Sequence, residues 1–413
     1  MLSRQTVYAA LLTGLLLTPP LEAGGPISSR FGIGNLSGPW DPRSYAMGFT
    51  AIGLGGSFIN TVNPAGLAGI PRTRLQGGFT YERFLSQDKQ ASSLFARGDF
   101  QGLAVAFPVD TSHGIVLMAA AEPYSRVLYA NRGTVAEGGI TSTQTFRGSG
   151  GLSTLALALS WRPYSDLAIG GKISYIYGRI GQIREVDFAD PSFTDSYVDR
   201  SWYHSGYDLT FGATLRDVGE FLRMPSLSPL QLGAVVNTSS RLDVTEEQLY
   251  TSGGYTDTLR TRHGKSSLPL GIGAGVSFPL SRQLLLAGDC FWQQWSHAEF
   301  FSGSDAKLRN TFRASIGMET RPGRERSTFF DLLIYRAGIA YRQDYVEVGG
   351  HPVNEWTFTA GTALPIGPES LLNIGLQAGL RGNIDTNIQR DTIFRLSVSV
   401  TASEEWFMEL IEE

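Results

Sequence analysis

The sequence predicts an all-β fold, a transmembrane antiparallel β-barrel of about fourteen strands with an N-terminal plug in its lumen. Short segments of period-two alternation recur from residue 73 almost to the end of the chain. The face opposite the apolar one carries Gly, Ala, Ser and Thr with single charges, where a soluble sandwich would carry many Lys and Glu. Connections alternate between short and long, as the two rims of a membrane barrel require.

Along the chain, residues 1–23 read MLSRQTVYAALLTGLLLTPPLEA. Arg4 in a polar start, an apolar run to Leu17, the Pro19-Pro20 break and small residues around Ala23 predict a secretory signal peptide. Leu21 is larger than the residue usually found just before such a cut, and no Cys lies near it to carry a lipid anchor. The apolar run is shorter than the ~18 residues a spanning helix requires.

Residues 24–72 are the predicted plug. They have too much apolar surface to hang in water and too little periodicity to form a domain. Within them, SFINTVNPAGLAGI (residues 57–70) sets Asn63 before Pro64. Asn as cap and Pro as first helical residue is the favoured order, so Asn63, Pro64 and Ala65 predict a short rigid turn that leads into the first strand.

The barrel is assigned to residues 73–401. LALALSW (residues 155–161) sets Leu155, Leu157, Leu159 and Trp161 against Ala156, Ala158 and Ser160. LPLGIGAGVSF (residues 268–278) sets Leu268, Leu270, Ile272, Val276 and Phe278 against Gly271, Gly273 and Gly275, whose spacing of two fits small lumen residues rather than a nucleotide loop. LNIGLQAGL and FRLSVSV repeat the arrangement to Val400. Aromatics near strand ends, among them Trp161, Tyr175, Tyr177, Trp202, Trp295 and Trp356, predict interfacial girdles. The short connections are PVDTSHG, RPYSD, PLSRQ, RPGRERS and PIGPES, with DVGEFLRMPSLSP a longer exception. The long loops are expected near residues 131–150, 182–201, 241–267, 297–307 and 344–354. An even strand count places both termini, including a tail at 402–413, on the periplasmic side of a Gram-negative outer membrane.

Composition narrows the function. A net charge of -4 gives no field to gather nucleic acid, and Cys290 alone excludes a disulfide framework or a Cys-rich metal site. No GxSxG, HExxH, CxxC or phosphate-loop pattern is present, and the five His are scattered, so neither an enzyme nor a cofactor nor a metal centre is predicted. Lys occurs only at 89, 172, 265 and 307, and the remaining basic residues are Arg, which fits either recognition of carboxylate or phosphate or a codon bias. Lumen parity falls on Lys172, Arg313, Arg336, Arg342 and Arg395. Each either binds an anionic group of a ligand or pairs with an acid of plug or wall, Asp289 and Glu319 being examples, because an unpaired buried charge is costly. The third strand, GIVLMAAAEPYSRVLYA, carries Pro123 in its middle, where a missing N–H implies either a bulge or an interrupted ladder.

RSYAMGFTAIGLGGSFINTVNPAGLAG resembles the N-terminal hatch of the FadL-like outer-membrane transport family, and SRFGIGNL with PYSRVLY (residues 123–129) is similar to its Bacteroidota-type members. The resemblance implies a fourteen-stranded barrel that takes up long-chain fatty acids or other hydrophobic molecules and releases them sideways at a kink in strand three, here Pro123. Its ligand would be a hydrophobic small molecule or lipid, held among outer-membrane lipids. Barrels of the PorV type share the hatch and strand count but serve as docking platforms for an envelope secretion or assembly machine, with a protein partner on the extracellular loops. The tail TASEEWFMELIEE departs from the family's aromatic last residue; Trp406 and Phe407 are its candidate substitutes.

Overall fold

A computed structural model of the chain describes residues 25–301, 307–321, 328–367 and 369–404. The leader assigned to residues 1–23 and the candidate closing pair Trp406 and Phe407 lie outside the described residues. Fourteen antiparallel strands close into a barrel: β1 (Thr73–Gln87), β2 (Ser92–Asp110), β3 (Ile115–Glu137), β4 (Ile140–Trp161), β5 (Leu167–Phe188), β6 (Ser196–Leu215), β7 (Gln231–Asn237 and Ser240–Ser252), β8 (Tyr255–Leu268 and Gly271–Pro279), β9 (Leu284–Gln293), β10 (Thr311–Thr320), β11 (Ile334–Val348), β12 (His351–Gly367), β13 (Ser370–Gly382) and β14 (Arg390–Glu404). β7 and β8 are each broken once, at facing positions. Closure runs from Arg390 opposite Gln87 to Glu404 opposite Thr73, so the last strand extends three residues past the assigned boundary at 401.

Period two decides the faces. On β4, Leu155, Leu157, Leu159 and Trp161 are 47–63% exposed toward the bilayer, while Ala156, Ala158 and Ser160 are buried against the lumen contents. Two of the aromatics assigned to the girdles are misplaced: Trp202 and Trp295 are fully packed inside the barrel mouth. Leu268 also lies inside, because the break at Pro269 separates it from the outward row resumed by Ile272.

Most connections on one rim are tight turns; residues 216–230 carry a short helix (Val218–Leu222), and the described part of the connection after Thr320 carries a 3₁₀ helix (Phe329–Leu332). On the other rim, the segments expected as long loops near 131–150, 182–201, 241–267 and 344–354 are largely ordered hairpins that lengthen the strands. Gly138-Gly139, Gly253-Gly254 and Gly349-Gly350 make the tips of three of them, each pair with both φ positive. Two consecutive left-handed residues define the tight hairpin turn whose twist matches the strands. The segment after β9 is the one that stays irregular through its described part.

Residues 25–72 fill the lumen. Two 3₁₀ helices (Ile27–Arg30 and Pro64–Gly69), a two-residue strand (Asn35–Leu36) and helix α1 (Pro42–Ala46) supply their regular structure. Asp41 caps α1 by accepting from the Ser44 N–H at 3.0 Å, with Pro42 as its first residue. Toward the turn rim, Ile59, Leu67 and Ile70 pack on Ala104, Ala106, Val116 and Met118. Toward the hairpin rim, Ile33 joins Val127, Leu242, Trp295 and Tyr345 in a second core that closes the mouth.

Candidate functional site

The plug is held by polar anchors on several sides of the wall. Asn63, fully buried, accepts from the Ala65 N–H at 3.1 Å and donates to the carbonyls of Ile52, Ala213 and Ala234 at 2.9–3.4 Å, so the Asn-Pro-Ala turn rests on β6 and β7. Asp289 on β9 accepts three consecutive plug N–H groups, those of Ala51, Ile52 and Gly53, at 2.5–3.3 Å. Glu319 on β10 takes Arg43 of α1 at 2.8 Å and Arg336 of β11 at 2.9 Å. Gly273 and Gly275 lie where Ile52 and Gly53 touch the wall; a Cβ on Gly275 would sit 2.3 Å from the Gly53 nitrogen.

The five basic residues picked out by lumen parity all face inward, but they are not equivalent. Lys172 donates to the Thr61 carbonyl at 2.7 Å. Arg342 donates to the Leu36 carbonyl at 2.9 Å and to Glu355 at 2.7 Å. Arg336 joins the Glu319 pair and reaches Asn373 at 3.2 Å. Arg395 binds Glu82. These four hold plug or wall. Among the described residues Arg313 makes neither hydrogen bond nor ion pair: its buried Nε has no partner, and its guanidinium lies 5.6 Å from the Phe291 ring centre. It borders two neighbouring cavities, one of about 230 Å³ in the lumen and one of about 170 Å³ shared with Lys172 and Pro123.

At Pro123 the wall opens. β3 pairs with β2 from Asp110–Ile115 only as far as Leu103–Ala121, while its pairing with β4 continues, through a bulge at Tyr124, to Glu137 opposite Ile140. Beyond Ala121 the plug takes over the free edge: Leu36 pairs with Ser125, Asn35 with Arg126, and Ser37 N–H donates to the Tyr124 carbonyl at 2.9 Å. Thus SRFGIGNL and PYSRVLY, far apart in sequence, are partners in one ladder. Trp40 guards the end of the β2–β3 ladder, its indole N–H donating to Glu122 and its ring lying against Gly102. A cavity of about 700 Å³ occupies the gap, bordered by Arg97, Asp99, Phe100, Glu122, Arg126 and Arg179.

Sequence reasoning missed the row of residues that lets the wall bend there. Gly151 has φ +143°, and a Cβ on it would meet the Ser125 carbonyl oxygen at 2.2 Å. Gly178 on β5 approaches the Gly151 carbonyl just as closely. The signals were GSGG at residues 148–151 and the isolated Gly178 in an alternating run, since glycine inside a strand marks a bulge or a close backbone approach. Trp40 and Glu122 carried no signal, because their contact exists only once the plug is inserted.

No curated protein matches the sequence. Among solved structures, the toluene transporter TbuX of Ralstonia pickettii aligns with a TM-score of 0.60 at 16% identity over 89% of this chain and 99% of its own. A FadL homologue of Pseudomonas aeruginosa aligns at 0.61 and 11% identity, over 90% of this chain and 99% of its own. The toluene transporter TodX of Pseudomonas putida aligns at 0.59 and 15% identity, over 91% of this chain and 100% of its own. These likenesses establish the fold as the FadL-type plugged barrel. At the level of sequence, the BamG family model matches residues 7–410, nearly the whole length, and the chain belongs to the BamG family.

Proposed function

We propose that this protein is an outer-membrane barrel that passes hydrophobic small molecules sideways between its lumen and the bilayer. One observation carries the reading: the β2–β3 ladder ends at Leu103–Ala121, leaving a cavity in the wall. A closed barrel satisfies its backbone groups strand to strand, so a gap in the ladder is sustained only because the plug supplies partners for the free edge. A route through the wall spares an apolar cargo the crossing of the polar lumen and its aqueous rim. Long-chain fatty acids are one cargo class of suitable chemistry. In this reading the extended hairpins are extracellular, and Thr73 and Glu404 lie at the periplasmic rim.

The fold's hydrophobic-compound transporters support the reading, and a direct test is available. Purified protein in liposomes is assayed for passage of a fluorescent fatty acid and of an uncharged aromatic probe, with Trp40→Ala and Pro123→Val alongside wild type. Trp40→Ala removes the ring at the end of the ladder and is expected to raise the rate. Pro123→Val restores a backbone donor and is expected to lower it. Rates equal to those of empty liposomes for every protein would overturn the proposal.

A second reading is favoured by a different observation. The hairpin-side mouth is sealed by Ile33, Trp295 and Tyr345, each no more than 1% exposed, above which β3 to β8 rise as an ordered sheet. Such a surface suits a docking platform for an envelope protein partner. Stoichiometric co-purification of one protein, lost when the β7–β8 hairpin is shortened, would favour the platform over passage.

A further inference from the structure

We infer that the side gap is the head-group site of an anionic membrane lipid, whose acyl chains lie in a groove on the outside of the barrel. This rests on the gap of the proposed function and names its ligand.

The groove comes first. On β3, Leu117, Ala119 and Ala121 face the bilayer, and the two alanines leave a trough between Leu75 and Leu103 on one side and Leu155, Leu157 and Ile173 on the other. Its volume is about 500 Å³. It leads directly into the gap, which shares Ala121 with it. An apolar trough on a surface already bathed in lipid has no reason to remain empty, and an acyl chain is what the bilayer offers it.

The gap has the opposite chemistry. Three arginines, Arg97, Arg126 and Arg179, border it against two acids, Asp99 and Glu122. Asp99 is shared between Arg97 and Arg126, Arg97 also reaches Glu82 at 2.7 Å, and Glu122 is engaged by Trp40. Arg179 is half exposed, with Ser201 at 2.7 Å and Asp199 at 3.6 Å. Deeper in, the lumen cavity is bordered by six arginines and four acids, and among the described residues the buried Nε of Arg313, which faces it, has no hydrogen-bond partner. The half-exposed Arg179 and the unpartnered Nε of Arg313 leave donors for one anionic group, and planar guanidinium groups match phosphate oxygens.

Height and size agree. Pro123 lies in register with Ser153, Ser153 with Tyr177, and Tyr175 with Tyr207. The gap therefore sits beside an aromatic girdle, where lipid head groups lie, just beyond the apolar band of Leu155, Leu157 and Leu159. The lumen cavity, about 230 Å³, is below the roughly 300 Å³ at which pockets for drug-sized ligands begin. It shares Arg97, Asp99, Pro123 and Arg126 with the gap and is too small for the acyl chains, which stay in the groove outside.

The test uses full-length protein in nanodiscs of mixed phosphatidylglycerol and phosphatidylcholine, with native mass spectrometry reading the lipids retained after release from the disc. Wild type is expected to retain phosphatidylglycerol over phosphatidylcholine. Arg179→Gln, which leaves the groove intact, is expected to lower that preference about fivefold, the factor one arginine near an anionic surface contributes. Ala119→Phe fills the groove and is expected to lower retention of both lipids, while its resistance to unfolding by detergent without boiling shows that it has assembled. Equal retention of the two lipids by wild type would overturn the site, as would unchanged retention in both variants. Displacement by glycerol 3-phosphate alone would also overturn it in favour of a free-anion site. Failure of these with probe passage intact refutes the lipid site and leaves the side-gap reading standing.

Discussion

Asn63 is where a dipeptide signal and a tertiary role coincide. Its Oδ1 caps the turn begun at Pro64, the role its sequence implies, and its Nδ2 reaches β6 and β7. Asn63→Ala loses a cap worth ~1 kcal/mol together with those wall contacts, so unfolding in urea is expected at a lower midpoint; an unchanged midpoint would remove the cap from the account. Glu319 is a stronger case. It sits 3% exposed between two equally buried arginines, Arg43 and Arg336. Removing the only acid of such a triad leaves two charges uncompensated, and breaking a buried pair costs about 3–5 kcal/mol. Glu319→Gln is therefore expected to convert the compact form to the extended form on unboiled gels at a markedly lower temperature, whereas exchange of the exposed pair Lys265–Asp243 should scarcely register.

At the scale of elements, β3 concentrates what the barrel does differently. Pro123 ends donation to a neighbour, Gly151 and Gly178 let the adjoining strands follow the bend, and the plug strand covers the released edge. Gly151→Val would drive a side chain into the Ser125 carbonyl and is expected to block assembly, read as absence of heat-modifiable protein in the membrane fraction. Normal assembly of that variant would show that the row is not needed for the bend. The strands, their faces and the position of the break were legible because alternation and proline act locally. The length of the hairpins was obscured by polar residues that resemble loops, although three Gly-Gly pairs marked the true turns. Which lumen cations are engaged was hidden for another reason. Lys172 and Arg342 find partners on a plug more than a hundred residues away, and the acid that Arg336 binds, Glu319, is shared with Arg43 of that plug; no spacing in the sequence encodes those contacts.

The molecule as a whole is a barrel too wide to fill itself, made solid by the first part of its own chain. At about eight strands side chains just fill a barrel interior, and fourteen leave a lumen that here is occupied by residues 25–72. The wall is shaped to that content: Gly170, Gly212, Gly233, Gly275 and Gly338 each lie where a Cβ would strike plug atoms. The anchors made by Asn63, Asp289 and Glu319 engage different strands, β6 and β7, β9 and β10, so no single loss frees the plug. Asp289→Ala, which strips the acceptor from three plug N–H groups, is thus expected to leave planar-bilayer recordings silent. Combined with Asn63→Ala it should produce flickering current, because the two sites share the plug segment between residues 51 and 63 and their effects do not add independently. Deletion of residues 25–69 removes every anchor at once and leaves a wall of glycines facing an empty lumen. That variant is expected to assemble and to conduct steadily. It is also expected to lose the closure of the β3 edge at Ser125 and Arg126, so its unfolding temperature should fall below that of either point variant. A silent deletion variant that has reached the membrane would show that the wall collapses inward or that other residues seal it, and the plug would no longer account for the closed lumen.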